Sequence, residues 1–132
     1  MAEFALLTPL LMFVLFMTIT FAVIGQAALA VSQLAYNGAR YAAVNPTMTG
    51  AQISSYIKSG NLGSPTITAN SGSHLTVTVT QASGFGQPAT VTIAYDLSSN
   101  ALVSSMSTMF AALGLAQTLP TSLTATETAM SD

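Results

Sequence analysis

Between Glu3 and Arg40 the chain carries no charged side chain. That gap is far longer than the ~20 apolar residues with which a helix spans a bilayer. Its most apolar part, Phe4 to Ile24, is built mainly of Leu, Phe, Met, Ile, Val and Ala. Most of these are good helix formers, and a helix from Glu3 to Val44 at ~1.5 Å per residue is roughly 60 Å long. Such a rod is about twice the thickness of a hydrocarbon core, so its second half has to project beyond the membrane. From Gly25 onward the side chains shrink and polar ones enter. Gln26, Gln33, Asn37 and Arg40 share one face of the helix, while Val23, Ala27, Ala30 and Leu34 share another. The lower half is apolar all round and the upper half is amphipathic.

Composition bounds what the remainder can be. The chain has 132 residues with 5% charged, and its mean hydropathy is positive, which is too apolar for an ordinary soluble monomer. Residues 1–45 read as a hydrophobic helix and 46–132 as a small head with a modest core. A net charge of -2 leaves no electrostatic footprint for nucleic acid. Without cysteine there is no disulfide framework and no thiol chemistry. Ser and Thr make up about a quarter of the chain and crowd the region after residue 46, a hydroxyl-rich composition that suits an exported surface and O-glycosylation. The N-terminus differs from a secretory signal peptide, which has a basic start and an apolar core of only ~7–15 residues. The flank that would set membrane orientation by positive charge is empty, and the expectation is that a basic leader preceded Met1 and was removed.

Along the chain, Pro9 predicts a kink or a short unwound stretch around Ala5 to Thr8, unless it is simply tolerated close to a helix start. Thr8, Thr18 and Thr20 are expected to bond back to carbonyls of their own helix. Glu3 stands at the threshold of the apolar run, where a carboxylate is costly to desolvate. Its partner is either a free α-amino group at Met1 or the dipole of the helix N-terminus. Asn45-Pro46 stops the helix. Thr49-Gly50-Ala51-Gln52 has the form of a capping box and opens a short helix to about Lys58, with Ile53 and Ile57 inward. Gly60, Gly63 and Pro65 make a loop. Pro65–Ala69 is a short strand candidate, and Leu75, Val77 and Val79 alternate with Thr in a strand over His74–Thr80. A connection containing Gly84-Phe85-Gly86 leads to a return strand over Ala89–Tyr95 with Val91, Ile93 and Tyr95 on one face. The resulting hairpin needs a cover, which the amphipathic half of the long helix supplies. Ala101–Leu115 reads as a helix with Leu102, Met106, Met109 and Leu113 on one side and Gly114 as its stop. Thr121–Met130 reads as a last strand, with Leu123, Ala125 and Met130 inward and a polar Ser131-Asp132 tail.

Two motifs carry a family resemblance. Glu3-Phe-Ala-Leu-Leu-Thr-Pro-Leu-Leu11 resembles the opening of TadE-like pilins, of the tight-adherence branch of the type IV filament superfamily. Gly38-Ala-Arg-Tyr-Ala-Ala-Val44, followed by Pro46, looks like the segment that closes their helix. The strands ending Ile93-Ala-Tyr95 and Leu123-Thr-Ala-Thr-Glu-Thr-Ala-Met130 are similar to their later sheet strands. The resemblance implies an α+β pilin, with a long N-terminal hydrophobic helix on a small antiparallel sheet and a leader cleaved by prepilin peptidase. It implies that Glu3 neutralises an N-terminal amine during assembly, with Phe4 the apolar residue beside it. The glutamate lies closer to Met1 than pilins usually place it to their mature N-terminus, so cleavage is expected at a point other than Met1. Asn37 stands where a basic residue is common.

The expected function is a structural filament subunit. An apolar stalk of ~40 residues far exceeds the few hundred Å² of exposed apolar patch that a monomer tolerates, so after leaving lipid it has to bundle with other copies. The expected assembly residues are Met1, Glu3, Phe4 and Pro9. Leu10, Phe13, Val14, Phe16, Met17, Phe21 and Ile24 are expected in a core of like helices, and Gly38, Arg40 and Tyr41 where the helix meets the head. Partners would be identical copies in a homopolymer, the inner membrane before assembly, prepilin peptidase and the secretion machinery. The location is an extracellular filament, with no cofactor and no nucleic acid. Alternatives are a minor priming pilin or a single-pass anchored domain that binds at the cell surface. Catalysis fares poorly: a Ser/His/Asp arrangement could draw only on His74 and Asp96, with no Gly-x-Ser-x-Gly elbow. One His with scattered carboxylates builds no metal site, and Gly84-Phe85-Gly86 is too short for a phosphate loop.

Overall fold

Helix α1 (Ala2–Val44) is one continuous helix of 43 residues, about 64 Å long. The computed structural model describes residues 2–62, 74–81, 84, 86–114 and 119–131, with side chains from Leu7 onward. No unwinding accompanies Pro9: residues on both sides stay helical. A proline removes one amide donor, and here the ladder continues above and below that gap. The hydroxyls of Thr18 and Thr20 donate to the carbonyls of Val14 and Phe16, both at 2.9 Å, so neither leaves a polar group stranded in the apolar half. The helix stops before Pro46, where the backbone N–H of Asn45 donates to Tyr41 O at 3.2 Å and its side-chain amide to the same carbonyl at 3.0 Å. Two donors on that carbonyl satisfy one of the last four acceptors of the helix.

Thr49 and Gln52 form the expected capping box for α2 (Gly50–Lys58). Gln52 Oε1 accepts from Thr49 N at 2.9 Å, and Thr49 Oγ1 from Gln52 N. The cap sets the rotation that drives Ile53 and Ile57 into the core, where both are fully buried.

Three strands make an antiparallel sheet in the order β1 (Leu75–Thr80), β2 (Pro88–Asp96), β3 (Ser122–Met130). The register pairs Val77 with Ile93 and Ile93 with Ala125, so the inward residues of all three strands line one face. That face is covered by the upper half of α1. Val31, Leu34, Ala35, Ala39 and Ala42 form one cluster with Ile53, Ile57, Val91 and Ile93. Gln26, Gln33, Asn37 and Arg40 point to solvent, in line with the two-faced reading of this half. The outer face of the sheet is a lattice of threonines in which Thr90 and Thr128 hydroxyls lie 3.2 Å apart and those of Thr92 and Thr126 3.1 Å. Such cross-strand pairs contribute roughly 0.2–1 kcal/mol each.

Three expectations are corrected. In α3 (Ala101–Ala112) the inward residues are Val103, Met106 and Phe110, while Leu102, Met109 and Leu113 are exposed. The apolar arc of this helix is broad, running from Leu102 and Met109 through Met106 to Phe110 and Val103, so periodicity leaves its exact rotation open, and the ring of Phe110 settles it against Phe13. Its end is as expected: Gly114, at φ +71°, adopts the left-handed conformation that stops a helix. On β3 the inward series is Leu123, Ala125 and Ala129, and Met130 falls on the opposite face because strand side chains alternate strictly. Ser131 is no solvated tail: it is buried, and its hydroxyl lies 3.0 Å from the Gly84 carbonyl and 3.3 Å from that of Gln87. The strand candidate Pro65–Ala69 and the loop residues Gly63 and Pro65 lie outside the described residues.

Two glycines of α1 separate packing from propensity. At Gly25 an added Cβ meets nothing within 4 Å, so Gly25→Ala is expected to stabilise the detergent-solubilised subunit by about 0.5–1 kcal/mol. At Gly38 a Cβ would come within 2.9 Å of Ile57 Cδ1 and 3.3 Å of Val91 Cγ1, both on buried side chains. Gly38→Val should cost about 1–3 kcal/mol through overpacking. Thermal melts in which both variants shift the same way would contradict this close approach.

Candidate functional site

Below the sheet, α1 has a covered side and an open side. Phe13, Met17, Thr20 and Ile24 follow one another at intervals of four, three and four on a single face, and all are half-buried or buried. At Phe13 the cover is α3, whose Phe110 meets it edge to face with ring centroids 6.1 Å apart. The rest of the surface is open: Leu7, Leu10, Leu11, Val14, Leu15, Phe16, Ile19 and Phe21 are all exposed, Leu11 by 68%. Of the residues expected in a core of like helices, Leu10, Val14, Phe16 and Phe21 therefore face outward. Phe13, Met17 and Ile24 are half-buried within the chain, and Phe13 meets its own α3. That intramolecular contact has no local sequence signal, because it joins residues far apart in the chain. Residue Met1 and the side chains of Glu3 and Phe4 lie outside the described residues, while Pro9 sits within the helix.

At the other end of the helix the motif residues meet the head. Gly38 lets α1 approach α2 and β2 closely. The ring of Tyr41 stacks on Tyr56 at 4.4 Å and 8° between planes, and its hydroxyl reaches Met48 Sδ at 3.5 Å. Their edges open onto a shallow groove of about 430 Å³ that Gln52, Ser55 and Ser59 also line. Arg40 is exposed and makes no ion pair among the described residues. The side-chain amide of Asn37 donates to Leu62 O at 3.2 Å, tying the loop after α2 to the helix.

The polar residues weighed for catalysis do structural work. Asp96 receives the backbone N–H of Ser98 at 2.8 Å, which holds its carboxyl below the usual range and shapes the turn into α3. Asp96 also donates its own N–H to His74 O at 2.9 Å, closing the end of the hairpin. Neither contact prepares a nucleophile.

Residues 1–40 match the family model described as TadE-like protein. No curated protein and no solved structure matches the chain. The matched residues cover the whole open apolar surface and end within the Gly38-Ala-Arg40 stretch that seats the helix on the head. Over its N-terminal 40 residues the chain is thus similar to TadE-like proteins, and those residues fall within an apolar helix long enough to cross a membrane.

Proposed function

We propose that the chain is a structural pilin subunit that polymerises through α1 into an extracellular helical filament serving surface attachment. The observation that carries this reading is the open apolar surface from Leu7 to Phe21 on a helix that the sheet and α2 cover only in its upper half. A surface of that extent is stable in lipid or against other apolar helices. Stacking subunits head to tail, with a rotation that does not close, gives a filament in which each α1 is buried among its neighbours. In this reading Glu3 neutralises the terminal amine of an adjoining subunit, and Leu10, Val14, Phe16 and Phe21 pack against neighbouring copies. The small residues Ala27, Ala28 and Ala30 allow helices to approach closely. Prepilin peptidase and the tight-adherence machinery act on the chain before and during assembly. The neutral, threonine-covered face of the sheet is then turned outward.

One observation favours a second reading, a minor subunit retained in the membrane. The seat of α3 on Phe13 occupies a side of α1 that a neighbouring helix would otherwise use. Shearing cells separates the two: a filament subunit is recovered in the sheared extracellular material, a retained one solely in the membrane fraction.

Glu3→Ala is expected to insert into the membrane as the parent does yet to slow or abolish filament formation. Unchanged filament yield by electron microscopy would remove Glu3 from assembly. Val14→Lys puts a charge on the open surface mid-span, which costs about 2.5–3.5 kcal/mol on insertion scales. Both membrane-inserted protein and filaments should fall, and parental amounts of each would count against a dry environment at this position.

A further inference from the structure

We propose that α3 is a second membrane-embedded element, a helical limb that dips into the outer leaflet beside α1 and presents Leu102, Met109 and Leu113 to lipid acyl chains. The inference rests on α1 spanning the bilayer and is independent of polymerisation.

The depth of α3 follows from its contact with α1. The apolar run Phe4–Ile24 contains 21 residues, ~31 Å of helix, which matches the ~30 Å hydrocarbon thickness with no slack. Phe13 lies near the centre of that run, and Phe110 is packed on Phe13. When α1 spans the bilayer, Phe110 therefore sits well inside it, ~16 Å below Ile24. The limb is long enough to reach this depth, since its 12 residues rise ~18 Å from the lower end of the sheet. There Leu97 N donates to Thr121 O at 2.8 Å.

The chemistry of the limb suits that location. Residues 97–126 contain no Asp, Glu, Lys, Arg or His. A helix lying on a soluble head would turn charged residues outward; α3 turns out Leu102, Met109 (40% exposed) and Leu113 (60% exposed) among alanines, serines and threonine. The cap and the threonine of the limb bond within the chain, as hydrocarbon favours. Asn100 Oδ1 accepts from Leu102 N at 3.0 Å, and the Thr108 hydroxyl donates back to Ser104 O at 3.0 Å. Thr18 and Thr20 use the same back-bond in α1. The occupant of the exposed α3 face is thus the bilayer that surrounds the open side of α1, with which it is continuous.

The cysteine-free chain allows single-cysteine labelling without background. Full-length Met109→Cys, Leu102→Cys, Leu15→Cys and Thr126→Cys would each carry an environment-sensitive fluorophore. All four positions are exposed, so replacement leaves the core intact. Each would be reconstituted into phosphatidylcholine–phosphatidylglycerol vesicles doped with lipids spin-labelled on the acyl chain. The expected result is acyl-chain quenching at position 109 close to that at position 15 and several-fold above that at 126, with 102 between them. Quenching at 109 no greater than at 126, with 15 strongly quenched, would overturn the proposal while leaving the α1 span intact. Failure to quench at 15 as well would overturn both.

Discussion

A helix of 43 residues is about twice as long as a bilayer's hydrocarbon core is thick, and the sheet and α2 cover only its upper part. Everything else in the molecule answers to that mismatch. Above Gly25 the helix offers a stripe of Val31, Leu34, Ala35, Ala39 and Ala42, and the sheet with α2 closes over it. Below Gly25 it offers large apolar side chains in nearly every direction, and among the described residues only the side that carries Phe13, Met17, Thr20 and Ile24 is covered within the chain, by α3 at Phe13. The first interface is a protein core, dry and closely packed. The second is unfinished, and finishing it requires lipid or another copy.

The same division explains why this chain has so few charges. A soluble domain of its size would distribute Lys, Glu, Asp and Arg over its surface to remain dispersed. Here the sheet exterior uses threonine hydroxyls paired across strands, and the turn into α3 uses Asp96 and Asn100 as local caps. Charge is kept away from the 97–126 segment as well as from residues 4–39 of α1, which is consistent with both lying close to hydrocarbon. The close approach at Gly38 then fixes how the head sits on the helix, and through it where α3 meets the apolar half.

Those features with a local or strictly periodic signal were legible in the sequence. The length of α1, its end before Pro46, the capping box at Thr49 and Gln52, and the alternation of Val77, Val91 and Ile93 all depend on near neighbours in the chain. The rotation of α3 was not legible, because its apolar arc is wider than the part the fold buries, and the contact between Phe13 and Phe110 joins residues nearly a hundred positions apart. Unwinding near Pro9 was overestimated, since one missing amide donor does not break a helix whose other hydrogen bonds continue. Met130 and Ser131 were misread for a common reason. A strand of threonine and alanine carries little hydrophobic contrast, and the value of Ser131 lies in carbonyls of Gly84 and Gln87 that only the fold brings to it. Of the candidate site, the apolar surface was plain from composition, whereas its partial occupation by α3 was not.

The central claim is that the lower half of α1 persists only where water is excluded. Sedimentation velocity of the full chain, after exchange from detergent into detergent-free buffer, tests it most directly. The account predicts no monomer peak, with all material in fast-sedimenting fibres or aggregates. A stable, monodisperse single copy with its N-terminal helix intact would contradict it.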